Sequence, residues 1–234
     1  MNKNKVKSGS DAARRLNEIS RVVSAVAHEL RNPLMVISAA VFNIKIKSRE
    51  PRIKSNLAHI ESKIRESQKI INNLLSYARI KPACLEPVDL SAILKESVKE
   101  AAKRFKKSRV SVKMEISSIK KTTLRADLRQ LKEIFRNILD NSYEACRGRK
   151  AVILIKAWKE GRRSIGLSFR DNGCGIAQDP PEKVFEPFFT TKENGRGLGL
   201  SLAKWMVELH GGEISAQNLP GAGAMVTVIL PLND

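Results

Sequence analysis

His28 lies in the run Ala-Val-Ala-His-Glu-Leu-Arg-Asn-Pro-Leu, residues 25–34. Apolar residues around it fall at Leu16, Ile19, Val23, Val26, Leu30, Ile37, Ala40 and Ile44, with Pro33 in the one skipped place. Steps of three and four make a heptad seam, and with Leu16 at position a the histidine occupies f, furthest from that seam. An imidazole held in solvent on a stiff helix, titrating near neutral pH, is a ready nucleophile.

A second set of residues suits a nucleotide. Asp171-Asn-Gly-Cys-Gly175 follows a strand-like run, so a carboxylate can meet a base while two glycines let the backbone pass close. Gly195-Arg-Gly197-Leu198-Gly199-Leu runs into a helix whose first N–H groups can hold phosphate oxygens. Its spacing is neither the dinucleotide fingerprint nor the P-loop. Between them, Phe185-Glu-Pro-Phe-Phe-Thr190-Thr191-Lys192 offers two hydroxyls and an ammonium to phosphate. Asn137 and Asn141 stand four apart on one helical face, where side-chain amide oxygens can help complete a Mg²⁺ shell.

Long helices must carry the histidine. Ser10-Asp11 offers an N-cap, the first seam runs to about Lys47, and Pro33 is expected to kink it. Arg49-Glu50-Pro51 turns the chain, and a second seam follows at Ile53, Leu57, Ile60, Ile64, Ser67, Ile71, Leu74 and Ala78. Two such helices form an antiparallel hairpin that cannot bury both apolar stripes by itself, so pairing with a second copy into a four-helix bundle is expected. The expected division is a flexible N-terminus over 1–10, the hairpin over 11–82, and a linker at 81–87 with two prolines. A nucleotide-binding domain over 88–234 completes it.

That last part alternates types. Helices are predicted from Asp89 or Ser91 to Phe105, over 127–146 and over 198–210. Strands are predicted over 110–116, 151–157, 164–170, 213–217 and 225–230. Helices mixed with largely antiparallel strands indicate an α+β (α/β-sandwich) domain after the all-helical hairpin.

Composition sets the bounds. The 234 residues fit one large domain or two small ones, and at 42% hydrophobic they can bury a core. There is no run of about eighteen apolar residues, and the basic start lacks the apolar stretch of a signal peptide. Cys84, Cys146 and Cys174 make no metal-like spacing, which favours a reduced, cytoplasmic chain. The net charge is +19, of which residues 1–82 carry +11. No interleaved aromatics or DNA-reading motif accompany it, so no nucleic-acid partner is expected.

Taken together, residues 15–232 resemble the transmitter region of bacterial two-component sensor histidine kinases, most of all the nitrogen-regulatory and sporulation types. The resemblance rests on five boxes in order: His28, Asn137–Asn141, Asp171–Gly175, Phe185 and Gly195–Gly199. It implies that His28 accepts the γ-phosphoryl group of ATP with Glu29 as base. Asn137 would then hold Mg²⁺, with Asn141 at the phosphates and Glu133 orienting a metal-bound water. It further implies that Asp171 receives the adenine amino group, with Gly173 and Gly175 admitting the base. Thr190, Thr191, Lys192, Gly195, Gly197, Leu198 and Gly199 would hold phosphates. Asn32, four residues after His28, resembles the phosphatase motif that positions water against a phospho-aspartate. The implied partners are a second copy, the receiver domain of a response regulator, and an upstream sensor domain or protein. Two departures stand out: Tyr143 and Glu144 occupy the place of a common lysine, leaving charge neutralisation to Lys192 and Arg196, and the segment 189–195 is short. The alternatives are an ATPase of related fold without histidine transfer, or a non-catalytic scaffold.

Overall fold

The computed structural model describes residues 3–48, 50–78, 82–120, 122–177, 179–191, 197–221 and 223–232. Side chains of residues 3–24, 69, 72–74 and 76–78 lie outside that description. The chain divides into two compact units, Met1–Pro82 and Ala83–Asp234.

The first unit is the hairpin, α1 (Lys3–Lys47) against α2 (Pro51–Ala78). Helix α1 passes through Ser10 and Asp11 and carries Pro33 inside it. The N-cap expected at Ser10-Asp11 is therefore corrected. A cap contributes only about 1 kcal/mol, and residues 3–9 hold no proline to stop a helix already propagating. Among the described side chains of the hairpin, Ala27 and Val41 on α1 and Leu57, Ile64 and Ile71 on α2 are buried. Leu34 packs against Val41, Leu57 and Ile64. Ala27, Leu34 and Val41 are heptad position e, one step beside the predicted seam. Seam residues Val26, Leu30, Ile37 and Ile44 stay between 45 and 48% exposed.

The second unit is a five-stranded sheet with three helices. Its strands are β2 (Val110–Glu115), β4 (Ala151–Glu160), β5 (Ser164–Asp171), β6 (Glu213–Asn218) and β7 (Ala224–Pro231), in spatial order β2-β4-β5-β7-β6. All pairs are antiparallel except β2–β4, which is parallel because the chain crosses between them through a helix. The helices are α3 (Leu90–Arg104), α4 (Leu128–Ala145) and α5 (Gly199–Leu209). The α4 stripe of Leu131, Ile134, Phe135, Ile138 and Leu139 is fully buried. Phe135 meets Phe169 of β5 at 5.9 Å between ring centroids.

A separate ribbon pairs β1 (Glu86–Asp89) with β3 (Thr123–Ala126). Residues 83–87, expected to be linker, thus belong to the second unit. Asp127 accounts for both attachments. Its carboxylate caps α4 through the Arg129 and Gln130 N–H groups and also accepts from the Cys84 N–H at 3.1 Å. Burial alone would raise its pKa, but these three backbone donors and the Arg129 charge hold it below 3.8. The buried His210 closes the corner, its Nε2 accepting from the Asp127 N–H at 3.0 Å and its Nδ1 meeting the Met206 carbonyl at 2.7 Å. Among the described residues no helix is long and apolar enough to cross a membrane.

Candidate functional site

His28, Glu29 and Asn32 are all exposed on α1, His28 at the f position. Met35 and Phe42 continue the same row at seven-residue steps and are also exposed, at 53% and 60%. His28 therefore stands at one end of a solvent-facing strip with an apolar continuation.

In the second unit α4 and α5 bring the amides to the glycine turn. A methyl group added at Gly199 would lie 3.4 Å from Asn137 Oδ1 and 3.5 Å from Asn141 Nδ2. Helix α5 thus starts directly over the asparagine pair, with the Gly199 main chain against the two side-chain amides. The Asn141 amide donates to the Asn137 carbonyl at 2.9 Å, which fixes its rotamer. Asn137 Nδ2 is buried and has no hydrogen-bond partner among the described residues. Whereas Asp89 and Asp127 cap α3 and α4, Leu198 gives α5 no side-chain cap, so its first-turn N–H groups suit an anion. Gly197 has φ +65° and packs so closely on the Phe188 and Phe189 carbonyls that any side chain would collide. The phenylalanine and glycine boxes therefore run side by side.

Asp171 closes the other end. Strand alternation turns Leu167, Phe169 and Asp171 to the helix-covered face, so the carboxylate is only 5% exposed. It accepts from the Gly173 N–H at 2.9 Å, and the Ala224 N–H and Ser142 hydroxyl also donate to it. Burial outweighs those donors and pushes its pKa above 3.8. Gly173 rests on the Ala145 carbonyl at the end of α4, where the Cys174 N–H donates at 3.1 Å. Neighbouring Cys146 is buried, and burial with the Asp171 charge pushes its thiol up to about 11. It is a packing residue rather than a reactive one. Ser142, Ala224, Gly223 and Asn218 were not legible as part of this loop, because they reach it from distant elements with no motif of their own.

Other residues are placed as follows. Thr190 and Thr191 are exposed beside the phenylalanine box. Glu133, one turn before Asn137, is paired with Arg136. Tyr143 is buried and stacks on Phe105 at 4.7 Å, so at the position of the missing lysine this chain has a core residue. Lys192, Gly195 and Arg196 lie outside the described residues.

Residues 18–83 match the His Kinase A (phospho-acceptor) domain, and residues 126–234 match the histidine kinase-, DNA gyrase B- and HSP90-like ATPase family. The chain is 34% identical over 94% of its length to the signal transduction histidine-protein kinase AtoS of Escherichia coli K12, covering 36% of that protein. It is 32% identical over 91% of its length to sporulation kinase B of Bacillus subtilis 168, covering 50% of it. It thus spans half or less of these curated relatives. A solved complex of histidine kinase ThkA with response regulator protein TrrA shares the fold, with TM-score 0.63 and 23% identity over 98% of this chain and 66% of that one.

Proposed function

For a chain that belongs, through both of its units, to the two-component sensor histidine kinases, we propose that His28 takes the γ-phosphoryl group of ATP held by the second unit and passes it to an aspartate of a response regulator. The observation that carries this reading is the cradle in which Gly199 faces Asn137 and Asn141, with the buried carboxylate of Asp171 on the same domain. Asp171 accepts the adenine amino group, and Gly173 and Gly175 let the base approach. The phosphates are assigned to the α5 N-terminus with Thr190, Thr191, Gly197 and Leu198, and by the order of the boxes to Lys192 and Gly195 as well. An imidazole nitrogen of His28 attacks the γ-phosphorus, the bond to the bridging oxygen breaks, ADP leaves, and Glu29 takes the imidazole proton. Such transfer depends on positioning and charge neutralisation more than on a strong base.

The donors present fit Mg²⁺, which would supply further neutralisation of the phosphates. The Asn137 amide, whose nitrogen is tied to nothing among the described residues, can present its oxygen as a ligand. Among the described residues no three His, Cys, Asp or Glu side chains gather, so a cation here draws the rest of its shell from phosphates and water. Glu133, whose Oε1 pairs with Arg136, has its second oxygen left to orient such a water.

The exposed seam of Val26, Leu30, Ile37 and Ile44 supports a homodimer, in which these residues fill the centre of a four-helix bundle. The receiver docks along His28, Met35 and Phe42. There Asn32 positions water for the reverse, phosphatase step. An upstream sensor domain or protein supplies the signal, and the chain works in the cytoplasm. Replacing His28 by Gln is expected to abolish acid-labile labelling from γ-labelled ATP while nucleotide still binds. Labelling that survives would overturn the assignment and leave the related-fold ATPase reading in its place.

A further inference from the structure

The β6–β7 turn reaches the Asp171–Ile176 loop at three separate points. Asn218, the last residue of β6, accepts from the Ile176 N–H through Oδ1 at 2.7 Å and donates through Nδ2 to the Ile176 carbonyl at 2.7 Å. One side-chain amide thus holds both main-chain groups of a single residue 42 positions earlier in the sequence. Gly175 makes room for it: a methyl group there would lie 3.0 Å from Asn218 Oδ1. Gly223, at φ +93°, lies so close that a Cβ would run into the Asp171 carbonyl, and the next residue, Ala224, donates its N–H to the Asp171 carboxylate. The turn has its own closure, the Leu219 N–H to the Gly223 carbonyl at 3.0 Å, and β6 pairs with β7 along its whole length. The Asn218 amide is therefore not needed to form the hairpin, and its two bonds serve the loop.

We propose that Asn218 is a positioning residue for the nucleobase: by clamping Ile176 it fixes the main chain of residues 173–176 around Asp171 and so sets the preference for adenine over guanine. This rests on the nucleotide reading given above. Adenine offers an amino group to the Asp171 carboxylate where guanine offers an oxo group, and rejection of the wrong base is strong only if the loop cannot yield to it. A loop released from Asn218 can shift, so affinity for the right base and rejection of the wrong one fall together.

The test is isothermal titration of the full chain with ADP and with GDP, each with Mg²⁺. It is paired with amide hydrogen exchange at Ile176 in nucleotide-free protein. Losing two hydrogen bonds, Asn218→Ala is expected to weaken ADP about tenfold and GDP much less, and to speed Ile176 exchange by about as much. Asn218→Asp keeps the acceptor for the Ile176 N–H but sets an oxygen against the Ile176 carbonyl, so it is expected to regain only part of the ADP affinity, whereas a general loss of stability would weaken both nucleotides alike and leave their ratio unchanged. Wild-type protein binding ADP tightly, with Asn218→Ala within twofold of it and an unchanged ADP-to-GDP ratio, would overturn the clamp alone. A wild-type chain that binds neither nucleotide would overturn the nucleotide reading and the clamp with it.

Discussion

On α4 the residues Leu131, Ile134, Phe135, Ile138 and Leu139 are fully buried, whereas on α1 the seam residues Val26, Leu30, Ile37 and Ile44 remain nearly half exposed. Both helices carry the same kind of apolar stripe. Their difference lies in what the chain provides to cover it. The second unit has a sheet and two further helices against α4, while among the described residues the first has one other helix, which covers the e positions and leaves a and d nearly half exposed. The units also differ at their chemistry. The histidine proposed as nucleophile stands in open solvent, while the carboxylate proposed for adenine sits in a desolvated corner with three hydrogen-bond donors around it. A group that must be loaded by one domain and unloaded by another protein gains from exposure. A group that must discriminate a base gains from enclosure.

The comparison predicts mutational effects of unequal size. The largest falls in the enclosed unit: Leu139→Ala is expected to cost about 3–5 kcal/mol, the range for a buried leucine left as a cavity. Denaturant titration followed by tryptophan fluorescence measures it, since both tryptophans, Trp158 and Trp205, lie in that unit. Next comes Asp171→Asn, which sets an amide against the adenine amino group and is expected to weaken ATP about a hundredfold in calorimetry. Its stability should move the other way. A carboxyl whose folded pKa is raised favours the fold below its ordinary 3.8 and loses that contribution as pH rises through the folded value. At pH 7 the ionised Asp171 therefore burdens the fold, and Asp171→Asn should melt no lower than wild type.

In the exposed unit Ile37→Ser is expected to remove about 1–2 kcal/mol of burial per protomer, much of it from the exposed half that a second copy would cover. Sedimentation should report a dimer at least tenfold weaker, with the tryptophan transition unchanged. A tryptophan transition that shifted with it would break the contrast between the units. The smallest effect belongs to Asp127→Asn, about 1 kcal/mol for a weakened cap. Because the folded pKa of Asp127 is lowered, its contribution is present above 3.8 and is lost as pH falls through the folded value. The variant's acid unfolding limb should be flatter than that of wild type.

Much of the second unit was legible because local chemistry fixed it. Asp89 and Asp127 announce their helices as caps, and the α4 period marks its buried face without reference to anything else. The β1–β3 ribbon was not legible: four residues beside Pro87 make a strand only because Thr123–Ala126 returns to pair with them. The parallel β2–β4 pairing was hidden for the same reason, since each strand looks alike whichever way its neighbour runs. On α1 the heptad count placed His28 correctly in solvent, yet the residues that pack within the protomer are one position away from the predicted seam.

The sequence by itself determined the periodicities, the caps, the exposed histidine and the order of the nucleotide-type boxes, because these depend on residues within a turn or two of one another. Only the tertiary structure decided that Gly199 faces Asn137 and Asn141, that Asp171 lies buried against Ser142 and Ala224, and that Asn218 holds Ile176. Those contacts join positions tens of residues apart, and they exist because sheet register and helix packing carry distant side chains to one place.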